Sequence, residues 1–209
     1  MKRPIKTASR LAIFCALFEV AATSLRAQSA LDDESRILDL FMAGKFDVRL
    51  NNGLLFSPYG EPASRPTINY TLTGLEFGYM LSDRREAGIF SGNLEASLEV
   101  FGSALFYGPG AYVTGFTLWG RYNFVPLGWR LIPYAQGGAG VTSTDIDHSI
   151  DGQMFNFNLN LAAGVRYLIT EHWSVSLEYR YQHISNANLG SHNLGINSQG
   201  PVLGISFAF

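Results

Sequence analysis

His183 and Ser185 stand two residues apart in the stretch Tyr181-Gln182-His183-Ile184-Ser185-Asn186, and residues at i and i+2 of a β-strand share one face. An imidazole beside a hydroxyl can take its proton and turn the oxygen into a nucleophile for an ester carbonyl. The same pair also suits the rim of a strand that leaves an apolar layer and meets headgroups. The surrounding elements determine which face the pair occupies and what that face touches.

Those elements alternate with a period of two. Trp173, Val175, Leu177, Tyr179 and Tyr181 interleave with Ser174, Ser176, Glu178, Arg180 and Gln182. From Phe155 the odd positions through Tyr167 are apolar or small, whereas the even ones read Asn156, Asn158, Asn160, Ala162, Gly164 and Arg166. Leu203, Ile205, Phe207 and Phe209 interleave with Gly204, Ser206 and Ala208. Such dyads predict strands, and turn signals delimit eight of them, at 44–55, 68–81, 92–107, 111–125, 129–142, 154–168, 171–185 and 197–209.

The polar faces carry bulky charges: Glu76, Glu95, Glu99, Arg121, Arg166, Glu178 and Arg180. A soluble barrel would fill its interior with the apolar face, so these charges argue for the reverse, with ion pairs inside and apolar side chains against lipid. The expected fold is all-β, an eight-stranded antiparallel transmembrane β-barrel of the bacterial outer membrane. Tyr70, Phe124, Trp129, Trp173 and Phe209 fit its interfacial girdles. Parity from Trp173 through Tyr181 places His183 and Ser185 on the lipid-facing side, at the outer end of strand seven.

The chain of 209 residues is 47% hydrophobic with a formal charge of −2, which excludes a disordered or nucleic-acid-coating protein. It contains no stretch of about 18 uninterrupted apolar residues of the kind a spanning helix needs. Lys2, Arg3, Lys6 and Arg10 precede an apolar run from Leu11 to Ala22 and then small residues, the pattern of a cleaved signal peptide over 1–27. Cleavage after Ala22 or Ser29 also fits. Removing 1–27 takes away Cys15 and leaves 10 basic residues against 16 acidic ones, a net charge of −6. The exported product then has no thiol chemistry and no basic footprint for nucleic acid.

Residues 28–43 form an N-terminal periplasmic segment, with a short plug-like helix whose first turn would be Asp32-Asp33-Glu34. The barrel occupies 44–209. With both termini periplasmic, 56–67, 143–153 and 186–196 become the longer outer loops, while Val125-Pro126-Leu127-Gly128 and Leu168-Ile169-Thr170-Glu171 make tight inner turns. The 82–91 turn is longer, and the 108–110 turn shorter, than that rule prefers.

Other constellations carry less. Glu95 and Glu99 lie about 13 Å apart along a strand, too far for a paired-carboxylate glycosidase. Gly137-Gly138-Ala139-Gly140 precedes no helix and is read as close packing or a bend rather than a dinucleotide loop. His148 and His172 have no partners at ligand spacing. His192 is a second candidate base on a loop, and Asp145, Asp147 and Asp151 form a solvated acidic loop rather than a cation site. Neither metal nor cofactor is implied.

His183-Ile184-Ser185-Asn186-Ala187, followed by Asn193-Leu194-Gly195-Ile196-Asn197 and a last strand ending in Phe209, resembles the lipid A 3-O-deacylase (PagL-type) family of outer-membrane acyl hydrolases. Gly92-Asn93-Leu94-Glu95, Arg121-Tyr122-Asn123-Phe124 and Pro133-Tyr134 through Gly140 resemble its middle strands, so the likeness spans roughly 70–209. The resemblance implies hydrolysis of the ester-linked 3-hydroxyacyl chain at position 3 of lipid A in outer-leaflet lipopolysaccharide. Ser185 would be the nucleophile and His183 the general base. Motif alignment gives Asn197 the role of orienting the imidazole, where well-known members carry glutamate. An amide can hold the tautomer but cannot stabilise imidazolium by charge. Asn186, Gly190, Asn193 and the backbone of 186–190 would supply oxyanion donors or positioning, although the same residues suit an ordinary turn. The terminal Phe209 strand would address the outer-membrane insertion machinery. A structural or adhesive barrel and a phospholipase of outer-leaflet lipid are the alternatives, and nothing in the sequence sets an oligomeric state.

Overall fold

The computed structural model describes residues 35–59, 65–146, 148–151 and 153–209. The segment read as a signal peptide and the expected first turn at Asp32, Asp33 and Glu34 lie outside these residues. Eight strands follow one another: β1 (Phe46–Leu55), β2 (Asn69–Met80), β3 (Gly92–Tyr107), β4 (Tyr112–Phe124), β5 (Leu131–Thr144), β6 (Phe155–Leu168), β7 (Trp173–Ser185) and β8 (Ile196–Ala208). Each boundary falls within two residues of the sequence expectation. Every strand pairs antiparallel with its chain neighbours, and β1 pairs with β8, closing the barrel without an edge. Closure satisfies the backbone groups that an open edge would leave bare in hydrocarbon.

The pleat sorts side chains as the alternation requires. Arg49, Glu76, Glu95, Glu99, Arg121, Arg166, Glu178 and Arg180 are buried inside, whereas Leu50, Leu75, Phe77, Leu98, Leu118, Leu159, Leu161, Leu177 and Leu203 are exposed on the outer wall. Arg121 donates to Glu76 and Glu95 at 2.8 and 2.7 Å, Arg49 to Glu76 at 2.9 Å, and Arg180 to Glu99 and Glu178 at 2.8 Å each. Asp47, which the alternation does not single out, takes Arg49 at 3.1 Å and Arg166 at 3.0 Å. Desolvating each ion is costly, and partners at hydrogen-bond distance are what make burial tolerable. Glu95 and Glu99 are both paired within this network, with Arg121 and Arg180 respectively.

Apolar clusters close both ends of the polar interior. At the end carrying helix α1 (35–40) and Phe209, α1 and the residue after it bring Ile37, Leu40 and Phe41 against Met80, Val125, Ile132 and Leu168. At the opposite end, Leu55, Ile68, Tyr70, Phe101, Val113, Ile184, Ile196 and Val202 pack with Ile146 and Ile150, the latter on the helical turn α2 (His148–Asp151). Tyr70 corrects the girdle expectation. It lies on the same inward parity as Glu76, is fully buried, and donates its hydroxyl to Gln182 Oε1 at 2.6 Å. An apolar ring with one polar handle suits an interior that offers an amide as well as a lipid boundary.

Candidate active site

β7 delivers His183 and Ser185 to the outer wall because their inward neighbours are firmly held. Gln182 accepts the Tyr70 hydroxyl, and Ile184 is fully buried in the apolar cluster of that end. Ile184 lies directly across from the buried Ile196 of β8, and His183 lies directly across from Asn197. Adjacent residues on each strand therefore divide the work: the isoleucines lock the backbone from inside while the polar pair meets outside.

His183 Nδ1 donates to Asn197 Oδ1 at 2.7 Å. With Nδ1 holding the proton, Nε2 presents its lone pair, which is the tautomer a general base needs. Among the described residues Ser185 Oγ makes no hydrogen bond to His183. Two residues along a strand separate their Cα atoms by about 7 Å, and such catalytic contacts commonly tighten only around substrate. Gly195 abuts the imidazole. Its φ is +69°, and a methyl group there would stand 3.0 Å from His183 Cε1. The resemblance includes Gly195 without giving it a role; its place two residues before Asn197 is the available signal.

The 186–195 loop is organised by Asn186, which is fully buried. Its N–H donates to Asn193 Oδ1 at 3.2 Å, its Nδ2 donates to the His192 carbonyl at 2.7 Å, and its Oδ1 accepts from Asn188 N–H at 2.8 Å. Asn193 Nδ2 in turn donates to Asn188 Oδ1 at 2.9 Å. Both asparagine side chains thus brace the loop. Ala187 and Asn188 adopt φ of 52° and 63°, a left-handed turn that costs an alanine about 1–2 kcal/mol and is held by these bonds. Among the described residues the N–H groups of Ala187 and Gly190 carry no hydrogen bond. Leu194 N–H donates to the Ile150 carbonyl at 2.9 Å, tying the loop to α2.

An open, largely apolar groove of about 520 Å³ runs along the outer wall to His183, lined by Gly137, Leu159, Leu161 and Tyr181 among others. Gly137 faces outward, with Leu161 Cδ2 3.5 Å from where its Cβ would be, so the wall is shallow there. Gly138 and Gly140 face the interior, where a Cβ would collide with Thr117 and the Phe116 carbonyl respectively. The glycine run therefore serves close packing on one face and relief on the other.

The remaining histidines are placed elsewhere. His192 Nδ1 lies 3.1 Å from Ser191 Oγ on the exposed loop, and His172 Nδ1 lies 2.9 Å from the Ala208 carbonyl at the end carrying α1. Asp145 Oδ1 accepts from Ala111 and Tyr112 N–H at 2.8 and 2.9 Å, and these bonds, Tyr112 foremost, hold its carboxyl below the usual range. Asp147 and the side chains of His148 and Asp151 lie outside what the structure describes.

The family model for lipid A 3-O-deacylase (PagL) matches residues 68–206, a span that includes His183, Ser185 and Asn197. The fold is similar to the outer-membrane enzyme PagL, with a TM-score of 0.57 at 20% identity over 76% of this chain and 97% of that one. It is similar to Neisserial surface protein A, with 0.55 at 15% identity over 79% and 99%. It is also similar to the N-terminal β-barrel domain of Pseudomonas aeruginosa OprF, with 0.52 at 20% identity over 80% and 98%. No curated protein sequence matches the chain.

Proposed function

The chain belongs to the lipid A 3-O-deacylase (PagL) family, and from that premise we propose that it is a serine esterase that releases the acyl chain ester-linked at position 3 of lipid A. The observation that carries this reading is the 2.7 Å His183–Asn197 hydrogen bond on the lipid-facing wall, at the head of an apolar groove. A polar pair aimed at hydrocarbon needs a function to offset its cost.

In the proposed reaction His183 Nε2 takes the Ser185 hydroxyl proton as Oγ bonds to the ester carbonyl carbon. The carbonyl oxygen becomes an oxyanion, for which the open N–H groups of Ala187 and Gly190 are the donors at hand. Collapse breaks the ester C–O bond, and imidazolium returns the proton to the sugar oxygen. Water, deprotonated by His183, then splits the acyl-serine and frees the hydroxy fatty acid. Asn197 holds the ring and its tautomer throughout. The neutral amide stabilises imidazolium only as a dipole, so the reaction runs without the charge that an acidic residue would supply. The acyl chain lies over Gly137 and between Leu159, Leu161 and Tyr181. Phe209, packed edge-on to Phe207 at 5.0 Å, ends the strand offered to the insertion machinery.

The test is incubation of refolded protein with lipopolysaccharide followed by mass spectrometry of lipid A. Loss of one 3-hydroxyacyl chain, abolished in Ser185→Ala, is expected. Release that persists in Ser185→Ala sinks the nucleophile, and release from phospholipid alone moves the substrate.

A further inference from the structure

The outer end of the barrel is poor in cations. Its loops, 56–67, 108–111, 145–154 and 186–195, contain no lysine, one arginine, Arg65, and two histidines, His148 and His192. His192 belongs to the loop that begins directly after Ser185, and Asn186 folds that loop back towards the nucleophile. Its Nδ2 donates to the His192 carbonyl at 2.7 Å, and its N–H donates to Asn193 Oδ1 at 3.2 Å. Adjacent Cα atoms stand about 3.8 Å apart, so the His192 carbonyl lies within about 10 Å of the Ser185 Cα. The Ser191 and His192 side chains are exposed at the rim, above the apolar wall.

His183 and His192 are set up to present different edges. An amide oxygen only accepts, so Asn197 Oδ1 fixes the His183 proton on Nδ1 and leaves Nε2 bare. Ser191 Oγ lies 3.1 Å from His192 Nδ1, and a hydroxyl both donates and accepts. The hydroxyl can therefore donate to Nδ1 while Nε2 keeps its hydrogen. In the protonated ring Nδ1–H donates to Oγ, and the hydroxyl hydrogen and Nε2–H are both available to an anion. Among the described residues neither side chain has another hydrogen-bond partner. Adjacent donors of this kind suit a phosphate, whose oxygens accept charge-assisted hydrogen bonds.

We propose that His192 and Ser191 bind the phosphate on the same sugar ring that carries the ester cut at Ser185, anchoring the head group while the acyl chain lies on the wall. The assignment rests on the deacylase reading for the identity of the lipid. In lipid A the ring with the cleavable ester at its third carbon carries a phosphate at its first, so anion and scissile carbonyl are two ring carbons apart. A loop that starts at the nucleophile and returns to its side can touch both. The subsite makes the enzyme a reader of that phosphate: a glycolipid that has lost it binds more weakly.

Binding is measured in the Ser185→Ala protein, which keeps lipid intact, by native mass spectrometry with detergent-solubilised lipid A carrying both phosphates, lacking this proximal one, or lacking the distal one. Loss of the proximal phosphate should weaken binding about five- to tenfold, the worth of one exposed hydrogen bond, and loss of the distal phosphate should not. His192→Ala on that background leaves the backbone carbonyl and its Asn186 bond in place, and it should remove the discrimination. With Ser185 intact, His192→Ala should raise KM for the doubly phosphorylated lipid by the same factor and leave kcat alone. His172→Ala, an exposed change at the other end of the barrel, should alter neither. Discrimination that survives His192→Ala, dependence on the distal phosphate, or a fall in kcat overturns the proposal, the last by making His192 a base. If His192-dependent binding of the proximal phosphate is found but the protein with Ser185 intact releases no acyl chain, the phosphate subsite stands and the deacylase reading fails.

Discussion

The inner and outer walls of this barrel treat polar groups in opposite ways. Inside, Arg49, Arg121 and Arg180 meet Glu76, Glu95, Glu99 and Glu178 at 2.7 to 2.9 Å, and the pairs are closed to solvent. Outside, His183 uses one ring nitrogen on Asn197 and keeps the other open, and Asn52 uses its oxygen on Thr73 and keeps its amide N–H groups open. Mutually paired ions hold a shape, whereas a polar pair facing lipid with one group open is placed to receive a ligand. The proposed chemistry thus falls on the wall where charge is scarce.

Substitutions can break that division. His183→Ala should lower deacylation about 10²- to 10⁴-fold by removing the base, with the barrel's circular dichroism unchanged; activity within tenfold of the parent would show that the base lies elsewhere. Arg121→Leu attacks the other wall. It leaves Glu95 short of its nearest cation and Glu76 with Arg49 alone, a loss of about 3–5 kcal/mol visible in urea unfolding from micelles. Its rate per folded molecule should match the parent, and a fall in that rate would mean that the inner network tunes the outer site.

Smaller changes sharpen the comparison. Asn197→Ala should cost about 2 kcal/mol in the transition state, roughly thirtyfold in rate, the value of a hydrogen bond to a charged group. Asn197→Asp should move the rate upward, because a carboxylate stabilises imidazolium by charge. Equal rates for the parent and the Asn197→Ala protein would remove the residue from the mechanism. Gly195→Ala should have the smallest effect, about 1 kcal/mol of stability from its positive φ and a several-fold fall in kcat as the methyl group presses the imidazole. Thermal melting and initial rates separate the two contributions, and an unchanged kcat would show that the ring tolerates the contact.

Period-two alternation in β6, β7 and β8 made the strands legible, because a wall with lipid on one side and ion pairs on the other writes its parity into every residue. Tyr70 escaped that reading. An aromatic ring near a strand end is expected at an interface, and only its parity with Glu76 and the nearby Gln182 amide turn it inward. Asp47 and Arg49 were missed as network members because β1 carries Asn51 and Asn52 side by side on opposite faces, which blurs the alternation. Asn186 and Asn193 fit oxyanion groups or turn residues equally by sequence; their bonds to one another and to Asn188 show which polar atoms the loop consumes.

Spacing by itself determined that His183 and Ser185 share a face and that this face is the greasy one, since side-chain direction along a strand depends only on parity. Strand number followed from the turn signals, and barrel closure from the need to satisfy backbone groups in hydrocarbon. Only the tertiary structure decided that Asn197 stands opposite His183 at 2.7 Å, that Gly195 bounds the ring, and that Asn52 meets Thr73. Register across strands, loop geometry and the curvature of the wall join residues far apart in the chain, and no local pattern encodes those distances.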